Sequence, residues 1–172
     1  INLTVGLTAP ERLQADIALC EEFEVPVWLT SYGNPTECVT RAKAMGASVF
    51  HDVTNLKHAK KAESAGVDGL IAVASGAGGH AGRISPYALI PYLRQHVGVP
   101  IIAAGAISTG KQIAASLALG AELTYLGTRF ISSVECGAVD GARWLGPRAC
   151  QLLDAGPRGG GQAAHAVEEV HA

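Results

Sequence analysis

The chain has few charged residues, few aromatic residues and no long apolar run. Of its 172 residues, 16% are charged and 5% are aromatic, and 13 basic side chains nearly balance 15 acidic ones. The resulting net charge of −2 provides no basic field to follow a phosphate backbone, so we expect no nucleic-acid partner. No apolar run approaches the roughly 18 residues that a membrane-spanning helix needs, so we expect no membrane segment.

Cysteines are also scarce and widely spaced. The four cysteines are too scattered for a disulfide framework or a zinc site, and they are expected to be reduced and buried. Reduced cysteines are typical of a cytoplasmic protein. The apolar content of 48% is high enough to form a core, which argues against disorder.

Short apolar, β-branched runs alternate with longer runs of helical period, which is typical of βα units around a parallel sheet. The predicted strands lie at 2–7, 25–30, 47–52, 69–75, 100–104 and 123–128. The predicted helices lie at 10–22, 35–45, 55–65, 86–96 and 110–119. Asn55 and Gly66 are expected to begin and end the third helix. We therefore predict an α/β fold with a parallel sheet.

An enlarged, glycine-rich loop follows the predicted strand 69–75. Its segment GAGGHAG, at 76–82, places His80 among four glycines at the carboxyl end of a parallel strand, where α/β proteins bind ligands. Glycine allows close backbone approach, and histidine titrates near neutral pH. The loop is therefore a candidate site, although a plain surface turn with an incidental histidine is the alternative.

Two nucleotide-binding patterns are only partly matched. Gly76, Gly78 and Ala81 fit a dinucleotide fingerprint, but no acidic residue stands about 20 positions later to hold a ribose. The run from Gly105 to Lys111 resembles the start of a P-loop, but Gln112 follows where Ser or Thr must reach magnesium. Both patterns are disfavoured.

Small residues at two neighbouring strand ends predict a phosphate site. Ala104, Gly105 and Ala106 follow one strand, and Gly127 and Thr128 follow the next. A phosphate needs close backbone donors and no bulky side chains, which these residues provide. In eightfold barrels the phosphate site is frequently built from the last two strand ends.

Polar residues at two earlier strand ends are further candidates. His51 and Asp52 end the strand 47–52 and are expected to face the same rim, where Asp52 would either orient a histidine or cap the next helical turn. Thr30, Ser31 and Tyr32 follow the strand 25–30 and carry no specific signal.

Three ordered blocks then carry a family resemblance. GVDGLIAVASGAGGHAG at 66–82, PIIAAGAISTG at 100–110 and LGAELTYLGTRF at 119–130 resemble the FMN-dependent nitronate monooxygenases, formerly called 2-nitropropane dioxygenases. The resemblance covers roughly residues 1–140. It implies a TIM-type (β/α) barrel.

The resemblance also implies a chemistry. The cofactor would be non-covalent FMN, and no metal would be required. His80 would be the catalytic base toward a nitroalkane or nitronate, which reacts with dioxygen to give a carbonyl compound and nitrite. The residues assigned to FMN binding are Gly79, Ala104, Gly105, Ala106, Gly127 and Thr128.

Several features depart from the family. Asp52 stands where some members carry a flavin-holding lysine, and Ala106 stands where many carry glycine. The resemblance implies a partial barrel over 1–140 with about six of eight βα units, the first units being absent. Residues 141–172 form an atypical tail that is expected to be weakly structured.

Two other functions remain open at this point. A flavin-dependent enoyl-thioester reductase of the same fold shares the glycine-histidine loop, and a truncated chain could be a non-catalytic binding module. Unpaired edge strands would favour a homo-oligomer.

Overall fold

A computed structural model of the chain describes residues 1–78, 82–127, 130 and 137. The strands are β1 (Asn2–Thr4), β2 (Val27–Ser31), β3 (Ser48–Val53), β4 (Gly69–Val73), β5 (Ile101–Ala104) and β6 (Leu123–Tyr125). The helices between them are α1 (Pro10–Glu22), α2 (Thr36–Ala44), α3 (Leu56–Ser64), α4 (Pro86–Arg94) and α5 (Gly110–Ala118).

The strands form one parallel sheet in which the spatial order equals the chain order, from β1 to β6. A doubly wound sheet reverses its strand order at a switch point, whereas a (β/α) barrel adds each strand beside the previous one. The observed order is that of a barrel, and it confirms the predicted parallel α/β fold.

The predicted and observed strands differ most at the ends of the first and the last strand. The strand predicted at 2–7 ends at Thr4, because the N–H groups of Leu7 and Thr8 donate to the carbonyl of Thr4 in a turn. The strand predicted at 123–128 ends at Tyr125, which pairs with Ala104 at the end of β5.

The two faces of the sheet differ. Along the register, His51 of β3 lies beside Thr30 and Leu70, and Asp52 lies beside Ile71. Successive side chains of a strand point to opposite faces, so these are two separate rows. We call the face of the first row the helix-facing side and the other the inner face.

The main core lies on the helix-facing side. Apolar side chains of α1 to α4 pack there against alternate residues of the strands, among them Trp28, Val49, Leu70 and Ile101. The inner face carries a separate small cluster of strand residues, Ile71, Ile102 and Ala104. Since these four helices pack on one face only, the sheet is singly wound, as in a barrel.

Local signals set the ends of α3. The Asn55 side chain accepts a hydrogen bond from the His58 N–H at 2.9 Å, which caps the first turn. Gly66 follows the helix with φ +88°, a conformation that favours glycine. Both predictions are confirmed.

The chain divides into two compact units. The first comprises Ile1–Ile107 and Lys111–Tyr125 and contains the whole sheet, and the second comprises Ser108–Gly110 and Leu126–Ala172. The predicted tail at 141–172 lies outside the described residues. None of the described helices is long and apolar enough to cross a membrane.

Candidate functional site

The loops that follow β4 and β5 are joined at the carboxyl end of the sheet. The Ala74 N–H donates to the carbonyl of Ala104 at 3.0 Å, and the Ala106 N–H donates to the carbonyl of Gly76 at 3.1 Å. These two bonds extend the pairing of β4 and β5 beyond the strands. The loops therefore hold one another in place, and we call this arrangement the loop interlock.

Close packing in the loop interlock requires a glycine at position 105. Gly105 has φ +114°, and a Cβ there would lie 3.0 Å from the Ala77 nitrogen and 3.1 Å from the Ala74 oxygen. Ala106 adopts φ +54°, a left-handed conformation that costs an alanine about 1 kcal/mol. A Cβ added to Gly76 would lie 2.9 Å from the Ala106 Cβ.

The loop interlock changes which backbone groups a phosphate could use. The Ala104 carbonyl and the Ala106 N–H are already paired with the neighbouring loop. The Gly105 N–H faces Tyr125 at the last step of the ladder between β5 and β6, whereas the Ile107 N–H donates to no group within the described part of the chain. The Ile107 donor is available for a ligand, and it was missed because only the structure reveals which amides are occupied.

Three further residues were predicted to bind FMN, namely Gly79, Gly127 and Thr128. Gly127 is exposed and belongs to the second unit. Thr128 and Gly79 lie outside the described residues, as does the predicted catalytic residue, His80.

The segments on either side of the loop that carries His80 are held by a hydrogen bond and by close packing. The Ser75 N–H donates to the Ile84 carbonyl at 2.9 Å, which joins the two ends of the loop. A Cβ at Gly82 would lie 2.3 Å from the Val73 oxygen, so only glycine fits there. The two segments that flank the loop therefore both lie beside the carboxyl end of β4.

His51 is a buried structural residue on the helix-facing side. Its side chain is 5% exposed, and its Nδ1 lies 2.8 Å from the Thr30 Oγ1. The Thr30 hydroxyl donates to the Phe50 carbonyl at 3.2 Å, which leaves its oxygen to accept from the histidine. Burial lowers the pKa of His51 to about 4, and the nearby charge of His58 adds to the effect. His51 is therefore neutral at pH 7.

Asp52 has the opposite environment. Its side chain lies on the inner face, is half-buried, and makes no hydrogen bond or ion pair within residues 1–78 and 82–127. Burial raises its pKa to about 6. His51 and Asp52 line one cavity, as expected, although neighbouring strand residues point to opposite faces of the sheet. The capping role considered for Asp52 is wrong, since Asn55 caps α3.

A cavity of about 1050 Å³ lies at this end of the first unit. Its wall includes Ser31 and Tyr32 at the end of β2, His51 and Asp52 at the end of β3, and part of α3. Its size is that of a small-molecule site. Two of the rim candidates, Ser31 and Tyr32, line it, whereas Thr30 is fully buried beneath the helices.

The sequence matches a family model described as nitronate monooxygenase over residues 1–145. The chain belongs to the nitronate monooxygenase family. It is 35% identical over 158 residues to a nitronate monooxygenase of Paraburkholderia phytofirmans, covering 80% of this chain and 43% of that protein. It is 32% identical over 145 residues to a probable nitronate monooxygenase of Staphylococcus aureus, covering 78% of this chain and 41% of that protein. The chain thus spans less than half the length of these relatives.

Solved structures give the same picture of the fold. FabK from Thermotoga maritima is similar with a TM-score of 0.76 and 34% identity, over 83% of this chain and 46% of that one. A nitroalkane oxidase from Streptomyces ansochromogenes is similar with a TM-score of 0.71 and 34% identity, over 83% of this chain and 43% of that one. The nitronate monooxygenase domain in this chain is therefore a partial (β/α) barrel, as predicted.

Proposed function

We propose that this nitronate monooxygenase domain is the larger part of the catalytic core of an FMN-dependent oxidoreductase. Its substrates would be alkyl nitronates or nitroalkanes together with dioxygen, and its products a carbonyl compound and nitrite. The family match over residues 1–145 is the observation that carries this proposal. The likeness to a protein named nitroalkane oxidase supports the same class of substrate.

The loop interlock supports a site for the phosphate of FMN. The Ile107 N–H, which has no acceptor among the described residues, follows β5 closely, beside small residues that leave the backbone accessible. Backbone N–H groups of this kind bind phosphate oxygens well. We assign Gly79, Gly127 and Thr128 to the same cofactor on the family resemblance. Bound FMN would supply the redox chemistry that side chains lack.

His80 would handle the proton of the substrate. A neutral nitroalkane must lose the proton on the carbon that bears the nitro group, and an imidazole is a suitable base near pH 7. A nitronate has already lost this proton, so it needs no base. The flanks of the loop, joined by the Ser75 to Ile84 hydrogen bond, would hold His80 near the end of β4.

This role of His80 can be tested with two substrates. In His80→Ala, turnover of neutral 2-nitropropane at pH 7 should fall by about 100-fold or more, because general base catalysis typically contributes 10²–10⁴-fold. Turnover of propionate 3-nitronate should fall much less, and FMN absorbance should be retained. His96→Ala, which changes an exposed histidine after α4, serves as the control. Unchanged turnover of 2-nitropropane would remove His80 from the mechanism.

A second candidate is a flavin-dependent enoyl-thioester reductase. The chain is as similar to FabK, with a TM-score of 0.76, as it is to the nitroalkane oxidase, with a TM-score of 0.71. The fold therefore does not distinguish the two candidate functions. Purified protein reconstituted with FMN should form nitrite from propionate 3-nitronate under air. NADH consumption with an enoyl thioester, in place of nitrite formation, would favour the reductase. Failure to bind FMN would favour a non-catalytic module.

A further inference from the structure

Asp52 is a polar group in apolar surroundings at the carboxyl end of the sheet. On the inner face its row contains Ile71 of β4, and the inner residues nearby are Leu29, Phe50 and Val73. Among the described residues that line the cavity, Asp52 is the one carboxylic acid. Ligands of (β/α) barrels bind at this end of the strands.

Other carboxylates of the chain have structural partners. Asp68 accepts a hydrogen bond from the Val49 N–H at 2.7 Å, and Glu122 accepts one from the Ile101 N–H at 2.7 Å. Both bonds satisfy a backbone donor at the start of a strand. Asp52 has no such partner in the described part of the chain, and burying a carboxylate without one destabilises the fold. A group kept at such a cost is a candidate for function.

We propose that Asp52 selects substrates by charge. As a carboxylate it disfavours an anionic nitronate relative to a neutral nitroalkane in the cavity, and as a neutral acid it admits both. This inference rests on the proposed function, because it takes the cavity beside Asp52 as the place where the nitro compound binds.

The other charged groups around the cavity do not neutralise Asp52. The titratable side chains that line it are Tyr32 after β2, His51 on the opposite face of β3, and His58, Lys60 and Lys61 on α3. None lies within ion-pair distance of Asp52, and Lys60 pairs with Glu63 at 3.0 Å. The neighbouring β4 presents Gly69, Ile71 and Val73 on this face, and none of them carries a charge.

The charge of Asp52 changes within an accessible pH range. Burial raises its pKa to about 6, while His51 stays neutral above about pH 4. Two unit charges about 6 Å apart, at an effective dielectric constant of about 40, repel by an amount that corresponds to roughly a tenfold change in affinity. Selection by Asp52 should therefore be measurable.

The test compares two substrates across pH. The ratio of kcat/KM for the nitronate of 2-nitropropane to that for 2-nitropropane should fall from pH 5 to pH 8 roughly tenfold more in the parent chain than in Asp52→Asn, through a higher KM for the nitronate. Any fall that titration of His80 causes is common to both proteins and cancels in this comparison. Glu11→Gln, at an exposed position of α1, should behave as the parent. Identical ratios in Asp52→Asn and the parent would overturn the inference and leave the proposed function intact.

A binding measurement separates this inference from catalysis. By calorimetry under nitrogen, Asp52→Asn should bind the nitronate of 2-nitropropane roughly tenfold more tightly than the parent at pH 7.5 and equally at pH 5. Equal affinities at both pH values, or no binding by either protein, would overturn charge selection. If the affinities are as expected but no substrate yields nitrite, charge selection by Asp52 stands and the proposed oxidation is refuted.

Discussion

His51 and Asp52 are neighbours in β3 and line one cavity, yet they differ in burial, in hydrogen bonding and in the face of the sheet on which they lie. His51 lies on the helix-facing side, is 5% exposed and is hydrogen-bonded to Thr30. Asp52 lies on the inner face, lines a cavity and lacks a partner among the described residues. Burial keeps His51 uncharged at neutral pH and raises the pKa of Asp52 toward the neutral range.

The difference follows from what each face packs against. The helix-facing side is covered by α1 to α4, so a polar group there must find its partner inside the protein. The cavity is bordered by His51 and α3 on the helix-facing side and by Asp52 on the inner face, where the buried strand residues are apolar and offer Asp52 no hydrogen-bond partner. The two faces of one sheet therefore treat a polar side chain differently, and substitutions at Trp28, Leu29, His51 and Asp52 test this difference.

The largest expected effect is in the core of the helix-facing side. Trp28 is fully buried there, and Trp28→Ala should lower the free energy of unfolding by about 3–5 kcal/mol. The matched inner-face change, Leu29→Ala, should cost only about 1–2 kcal/mol, because Leu29 is partly exposed. Urea unfolding of both variants measures the difference. Equal losses of stability in the two variants would contradict the difference between the two faces of the sheet.

The next effect concerns the acid sensitivity of His51. In the folded chain its pKa is about 4, against about 6.5 unfolded, so the unfolded state binds the proton first as the pH falls. The free energy of unfolding should therefore drop by about 2–3 kcal/mol between pH 6.5 and pH 4. In His51→Asn this contribution should vanish from the pH profile of urea unfolding. An unchanged slope would show that His51 is not held neutral by burial.

A smaller effect is expected in the loop interlock. Gly76→Ala should destabilise the chain by about 2 kcal/mol, because the new Cβ meets the Ala106 Cβ at 2.9 Å and Gly76 has φ +91°. Ala106→Gly should be close to neutral, since relief of the left-handed strain offsets the added freedom of the unfolded chain. The double variant should recover about 1 kcal/mol by removing the clash. Strict additivity in this double-mutant cycle would contradict the packing described.

The smallest expected effect is the change in the free energy of unfolding when the charge of Asp52 is removed. Its pKa is higher in the folded chain than in the unfolded one, so its ionisation destabilises the fold increasingly from about pH 4 to pH 6. Asp52→Asn should therefore raise the free energy of unfolding by about 1–2 kcal/mol at pH 7.5 and leave it unchanged at pH 4. Urea unfolding at the two pH values measures this. A loss of stability at pH 7.5 would mean that Asp52 has a structural partner after all.

Local signals allowed much of the fold to be predicted. Helices begin and end within a few residues of the predicted positions, because residues such as Asn55 and Gly66 act on the backbone beside them. The parallel sheet followed from the alternation of apolar runs with helical ones. The weakest boundaries were strand ends such as Thr4 and Tyr125, which depend on partners far away in the chain.

The candidate site was harder to predict for the same reason. Glycine-rich strand ends identified the segment 104–106, yet which amides remain free was decided by the contact with Gly76. The conformation of Ala106 could not be predicted from its neighbours in sequence, since a positive φ in alanine is held by tertiary packing. His80 and Thr128 lie outside the described residues, so their roles stay predictions.

The sequence by itself determined the order of βα units, the parallel sheet and the family, because periodicity, capping residues and glycine spacing act locally and recur along the chain. Tertiary structure alone decided that His51 is buried and hydrogen-bonded to Thr30 while the Asp52 side chain has no partner among the described residues, and that the loops after β4 and β5 hold one another. Both outcomes arise from burial and pairing between distant segments, and these set the pKa of a side chain and the availability of a backbone donor.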